Sequence, residues 1–119
     1  MKKISLLILG LLWIPVLHAQ IVRFNTPFPN PDQQLTLTFL ATEGNRGLEN
    51  CNCDVYLHTG VTPVGGNRWQ YVQGEWGQDI PRLKMTRVAA NVYTFTFHIR
   101  EFYDLPDGLQ VEELSFVFR

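Results

Sequence analysis

Apolar and polar positions alternate with a period of two along most of this chain. In Gln34–Thr42, Leu35, Leu37 and Phe39 alternate with Thr36 and Thr38, the pattern of a strand with one buried face. The same period recurs in Arg82–Ala89, where Leu83 and Met85 alternate with Lys84 and Thr86. It is clearest in Val92–Ile99, with Tyr93, Phe95, Phe97 and Ile99 on one face and Val92, Thr94, Thr96 and His98 on the other. Ala90-Asn91 reads as the tight turn between these last two strands. A final strand, Gln110–Arg119, places Leu114, Phe116 and Phe118 on one side.

Between these runs lie weaker signals. Ile21–Asn25 reads as a short edge strand. Pro27, Pro29 and Pro31 follow, and proline cannot donate to a ladder, so this segment is an extended connector. Glu43–Asn52 is a polar loop with room for one helical turn at Gly47–Glu49, and Gln78–Pro81 is a second connector. Arg100–Gly108 reads as a longer turn with a helical turn at Glu101–Tyr103, stopped by Pro106. Six or seven short strands with almost no helical period predict an all-β sandwich, and immunoglobulin-like topology is the usual solution at this size. The last strand raises a question of neighbours. A strand so apolar normally has one on each side. Either earlier strands supply both, or the sandwich lacks its closing strand.

Asp54–Gly77 stands apart. The apolar runs Val55–Val61 and Trp69–Val72 flank a loop with Pro63, Gly65, Gly66 and Asn67, which reads as strand, turn, strand. Val55 and Leu57 face the core in this phase and leave Tyr56 and His58 outward. Trp69 and Tyr71 are likewise two apart, and residues two apart on a strand share a face. If the strands pair, the two rows form an aromatic platform of the kind that suits the apolar faces of sugar rings. Trp76, between Gly74 and Gly77, sits in a loop and is the better exposed anchor. The competing interpretation is that these rings are core, and that His58 is a solvated strand histidine.

Residues 1–19 have the three parts of a secretory signal peptide: Lys2 and Lys3, an apolar middle from Ile4 to Leu17, and a small-residue cut after Ala19. The apolar run is short for a membrane span and contains Pro15. An uncleaved anchor is the alternative. Residues 20–119 then form one small domain, secreted, periplasmic or at the cell surface, with no membrane partner after cleavage. Loss of the two lysines lowers the basic count from 10 against 11 acidic side chains, a net charge of about −3 with no basic cluster, which argues against nucleic acid. Cys51 and Cys53 would lie in an oxidising compartment. Residues two apart on an extended strand sit near the limit of roughly 7 Å that a disulfide tolerates, so a Cys51–Cys53 bridge requires a turn, which Asn50 and Asn52 can supply. Two thiols without further ligands do not make a zinc site, and no metal or cofactor is expected.

The series TLTF, GNRGL, CDVYLHTGV, RWQYV, EWG, LKMTRVAANVYTF, IREFYDLPDG and LSFVFR resembles the starch-binding carbohydrate-binding modules of family 26, found at the N-terminus of exported bacterial α-amylase-family proteins. The resemblance runs from about Thr36 to Arg119 and rests on the order and spacing of the segments. It implies a sandwich that binds α-glucan without cleaving it, through aromatic rings that stack on glucose units. The matching positions are Tyr56, His58, Trp69 and Trp76. In relatives the VFR strand is followed by a closing strand and an amylase-type catalytic domain, which would be the partner of such a module. Here the given chain stops at Arg119, and the activity of that domain does not transfer. Cys53 beside Cys51 is a second departure.

Catalysis by this chain is not expected. Glu75 and Asp79 lie near Trp76, and Asp54 lies near His58, but a glycosidase needs two carboxylates across a cleft. No GxSxG, HExxH or P-loop pattern occurs. The alternative function is a structural or protein-interaction module that spaces an assembly or accepts a strand from a partner.

Overall fold

The computed structural model describes residues 21–27 and 29–119. The expected signal segment lies outside them. Among the described residues seven strands occur: β1 (Val22–Phe24), β2 (Gln34–Leu40), β3 (Leu57–Pro63), β4 (Gln70–Gln73), β5 (Thr86–Ala89), β6 (Val92–His98) and β7 (Val111–Phe118). One short helix, α1 (Ile99–Tyr103), follows β6. The strands form two antiparallel sheets, β1-β2-β6-β5 and β4-β3-β7. The first has the A-B-E-D order of an immunoglobulin-type sandwich. In the second, β3 and β7 take the C and F positions, with β4 added on the outer side of C.

The period of two decides which residues meet between the sheets. Leu35, Leu37 and Phe39 of β2 stand opposite Phe97, Phe95 and Tyr93 of β6. Leu57, Thr59 and Val61 of β3 stand opposite Phe118, Phe116 and Leu114 of β7. These rows, with Val55, Leu83, Met85, Ile99 and Tyr103, make the core. Phe39 and Phe118 stack across it at 4.0 Å between centroids. Thr59 is the polar residue in the row. Its hydroxyl donates to the Ser115 carbonyl (2.6 Å) and receives the Tyr103 phenol (2.7 Å), so no buried hydroxyl there lacks a partner. Burial pushes the Tyr103 phenol well above the usual tyrosine range, against the opposing pull of its bond to Thr59.

Three local expectations change. The strand expected over Arg82–Ala89 begins only at Thr86. Pro81–Leu83 is a 3₁₀ turn instead, because Pro81 supplies the fixed φ and missing donor that suit a first helical position. Leu83 and Met85 are still buried. Gly47–Glu49 forms turns and not a helix, with the Glu49 and Cys51 amides bonded to the Arg46 and Leu48 carbonyls. Trp69 lies just outside β4, and both Trp69 and Tyr71 have positive φ (58° and 54°). The regular alternation expected of Trp69–Val72 is therefore broken. Pairing with β3 slips between Thr59 and Val61 to accommodate it.

The Cys51–Cys53 disulfide is formed, with 5.1 Å between Cα atoms. Asn50 and Asn52 both take the left-handed conformation (φ 59° and 53°), which asparagine tolerates better than most residues. That double turn brings the two thiols within reach. Asn91, itself at φ 62°, holds the loop by accepting the Asn50 amide (2.6 Å) and donating to its side chain (3.1 Å).

β7, the apolar last strand, pairs with β3 alone among the described residues. No described strand lies beside it at the position of strand G. An apolar groove of about 810 Å³ runs there between the β1 edge and the β7 edge.

Candidate functional site

The outer face of β3 carries His58, Gly60 and Thr62, which alternate with the core row. It would be solvated if β4 were a plain strand. Instead the chain after β3 folds back over it. The six-membered ring of Trp69 rests on Gly60, where an added Cβ would lie 2.7 Å from the Trp69 ring and 3.1 Å from its Cα. Only a residue without a side chain lets the indole reach the sheet.

Trp76 covers the neighbouring position. Its indole stacks on the His58 imidazole with 4.2 Å between centroids and 26° between planes. A turn closed by the Gln78 amide on the Glu75 carbonyl (3.1 Å) presents it, and Gly77 supplies the positive φ of 81° that the turn requires. Gly74, at φ 112°, lets the backbone pass His58 closely; a Cβ there would sit 2.9 Å from His58 Nδ1. His58 thus has Trp76 on its face, Trp69 beside it at 5.8 Å and 35°, and Gly74 against its ring nitrogen.

The four residues singled out from the sequence consequently divide. His58, Trp69 and Trp76 come together. Tyr56 does not join them: it is half-buried, its backbone bonds in both directions with Arg119 (2.7 and 3.0 Å) and bridges to Lys84, and it makes no ring contact among the described residues. Exposure divides them differently. Trp76 is 67% exposed, Trp69 is half-buried, and His58 is only 7% exposed. The outward phase expected for His58 is correct, since Val55 and Leu57 do face the core. The residue is nevertheless covered, and serves as the base under Trp76 and not as an open surface. Its Nδ1 is buried without a hydrogen-bond partner among the described residues.

Tyr71 was absent from the expected set, although its spacing from Trp69 was a signal for it. It is 38% exposed. Val64, Tyr71, Val72 and Trp76 all belong to this hairpin and are four of the seven large apolar side chains that stand exposed among the described residues. Chemically the hairpin offers an exposed indole, a second partly covered indole and a phenol. Aromatic faces of this kind can stack against other flat apolar groups. Among the described residues no group of three or more histidine, cysteine or acidic side chains is placed to hold a metal ion. Nor is any described helix long and apolar enough to cross a membrane.

The site rests on a fixed frame. Arg82 bonds Gln73 at the end of β4 and lies over Phe102 of α1 at 5.4 Å. Arg119 donates to the Gln78 carbonyl (2.8 Å) and pairs with Asp79 (3.5 Å), tying the segment after Trp76 to the end of β7. No protein-family model matches this chain, and no curated protein is significantly similar to it.

Proposed function

We propose that this is an exported, non-catalytic module that binds starch-type α-glucan, with Trp76 as the principal stacking surface. The observation that carries the reading is an indole two-thirds exposed and backed over its inner face by a buried imidazole. A ring held in place before binding loses little freedom when a ligand arrives. Trp69 extends the apolar surface beside His58, and Tyr71 is a further contact on the same hairpin. Tyr56 has a structural role at the start of β3 in this reading.

A sugar ring on an aromatic face gains about 0.5–1.5 kcal/mol beyond its buried area. One or two such contacts with a few hydrogen bonds correspond to dissociation constants on the order of 10 μM to 1 mM. That range suits a polymeric ligand, on which many weak sites act together. The partner is α-glucan polysaccharide or oligosaccharide, and the module would serve an amylase-type catalytic domain or protein. Affinity electrophoresis in gels with amylopectin tests this, with soluble cellulose derivatives as control. Retardation by amylopectin alone supports the reading. Equal mobility in both gels, or release of reducing sugar from starch by the purified chain, contradicts it.

A further inference from the structure

β7 flanks β3 on the side opposite β4, and its other edge poses a separate question. Arg119 and Tyr56 exchange both backbone hydrogen bonds. By the alternation of an antiparallel ladder, Val117, Ser115 and Glu113 direct their amides and carbonyls toward β3 as well. Phe118, Phe116 and Leu114 therefore direct theirs to the free edge. The same three residues carry the inner apolar row, and with Phe24 and Phe39 they line the groove. An edge strand of this length and apolarity, with three residues' backbone groups unpaired, is a template for another strand.

Charge along the edge selects the occupant. The edge begins with Glu112 and Glu113 and ends with Arg119. A strand running antiparallel to it must bring a basic group to the first end and an acidic group to the second. β7 itself meets this requirement. We propose that the free edge of β7 pairs antiparallel with β7 of a second copy about a two-fold axis, joining two three-stranded sheets into one of six. Side-chain alternation and edge hydrogen bonding allow only registers in which like-facing residues oppose each other. The register centred on Phe116 sets Leu114 opposite Phe118 of the second copy, and Glu113 opposite Arg119 of the second copy, twice by symmetry. The apolar row of each strand then faces the groove of the other. Glu113 already pairs with Arg68 (3.3 Å), and Arg119 with Asp79 (3.5 Å). Both remain at the surface on the outer face, so the crossed pairs extend existing charge pairs.

The test is sedimentation velocity of the purified chain and three variants: Glu113→Arg, Arg119→Glu and the double exchange. Circular dichroism verifies that each folds. Wild type is expected to sediment as a dimer. Each single variant sets like charges opposite each other at two places and is expected to weaken association at least tenfold. The double exchange restores it. An equimolar mixture of the two single variants, each largely monomeric alone, is expected to form heterodimers. A monomeric wild type across its soluble range overturns the proposal, as do single variants that dimerise like wild type or a mixture that stays monomeric. The proposal concerns association through β7 and does not rest on sugar binding by Trp76.

Discussion

The His58 imidazole lies under the Trp76 indole, 4.2 Å between centroids and 26° from parallel. This contact joins a residue of the central strand to the most exposed tryptophan in the described chain. His58→Ala removes the base and leaves a hollow under the indole. The indole then loses its fixed orientation, at a cost of about 1–3 kcal/mol in stability from the lost packing. Retention on amylopectin is expected to fall several-fold while the circular dichroism spectrum of the sheets persists. Tryptophan fluorescence anisotropy, expected to drop, reports the freed ring directly.

Gly60 is the seat of Trp69. Gly60→Ala drives a methyl group into the indole and toward the Trp69 backbone. Overpacking of this kind costs about 1–3 kcal/mol, and here the backbone contact limits relaxation. The midpoint of urea denaturation is expected to fall by that amount with an unchanged slope. Gly65→Ala, at a glycine whose added Cβ meets nothing within 4 Å, is the contrast without a steric clash. It carries a positive φ of 75° and is expected to show the backbone cost alone.

The disulfide closes a loop of only three residues, for which chain entropy gives about 1–2 kcal/mol. Asn91 and the bond from the Tyr93 phenol to the Cys53 carbonyl (3.2 Å) hold the same loop without it. Replacing both cysteines with serine is expected to lower the melting temperature by only a few degrees and to leave amylopectin retention intact. Parallel melts of the oxidised chain, the reduced chain and the variant check this.

Tyr103 gives the fold an alkaline limit. Its folded pKa is raised by burial, while the unfolded phenol titrates near about 10. The stability it contributes is thus fully present below pH 10 and is lost as pH rises toward the folded value. Tyr103→Phe is expected to cost about 0.5–1.5 kcal/mol at neutral pH through its lost bond to Thr59. Above pH 10 its stability should decline less steeply than that of wild type. Denaturation midpoints from pH 7 to 12 measure both effects.

The sandwich was legible because burial of one strand face imposes a period of two, which β2 and β6 follow throughout and β7 follows from Glu113 onward. The core rows Leu35-Leu37-Phe39 and Tyr93-Phe95-Phe97 come from that pattern alone. Strand ends were less legible: Pro81 turns Arg82 and Leu83 out of the ladder while Leu83 stays buried, and Lys84 keeps an isolated bridge to Tyr56. The disulfide required knowing that two asparagines adopt left-handed turns in succession, which their residue type permits but does not dictate. At the site, Trp76 was recognisable from its glycine neighbours. His58 was assigned the correct face yet the wrong exposure, because periodicity tells which way a side chain points and not what folds back over it. Trp69 and Tyr71 escaped the alternation rule through their positive φ. Tyr56 shares the phase of His58 but lies one step beyond the reach of the covering segment. The open edge at β7 was raised by the apolarity of that strand, and its groove follows from β1 and β7 both ending their sheets.

The central claim is that an indole fixed over His58 receives a glucose ring. The most direct measurement is isothermal titration of maltoheptaose into wild type and Trp76→Ala, whose side chain is exposed enough that its loss leaves the core untouched. Saturable binding in the range of 10 μM to 1 mM, reduced at least tenfold in the variant, is the expected result. Absence of binding in wild type, or equal affinity in the two, would contradict the account.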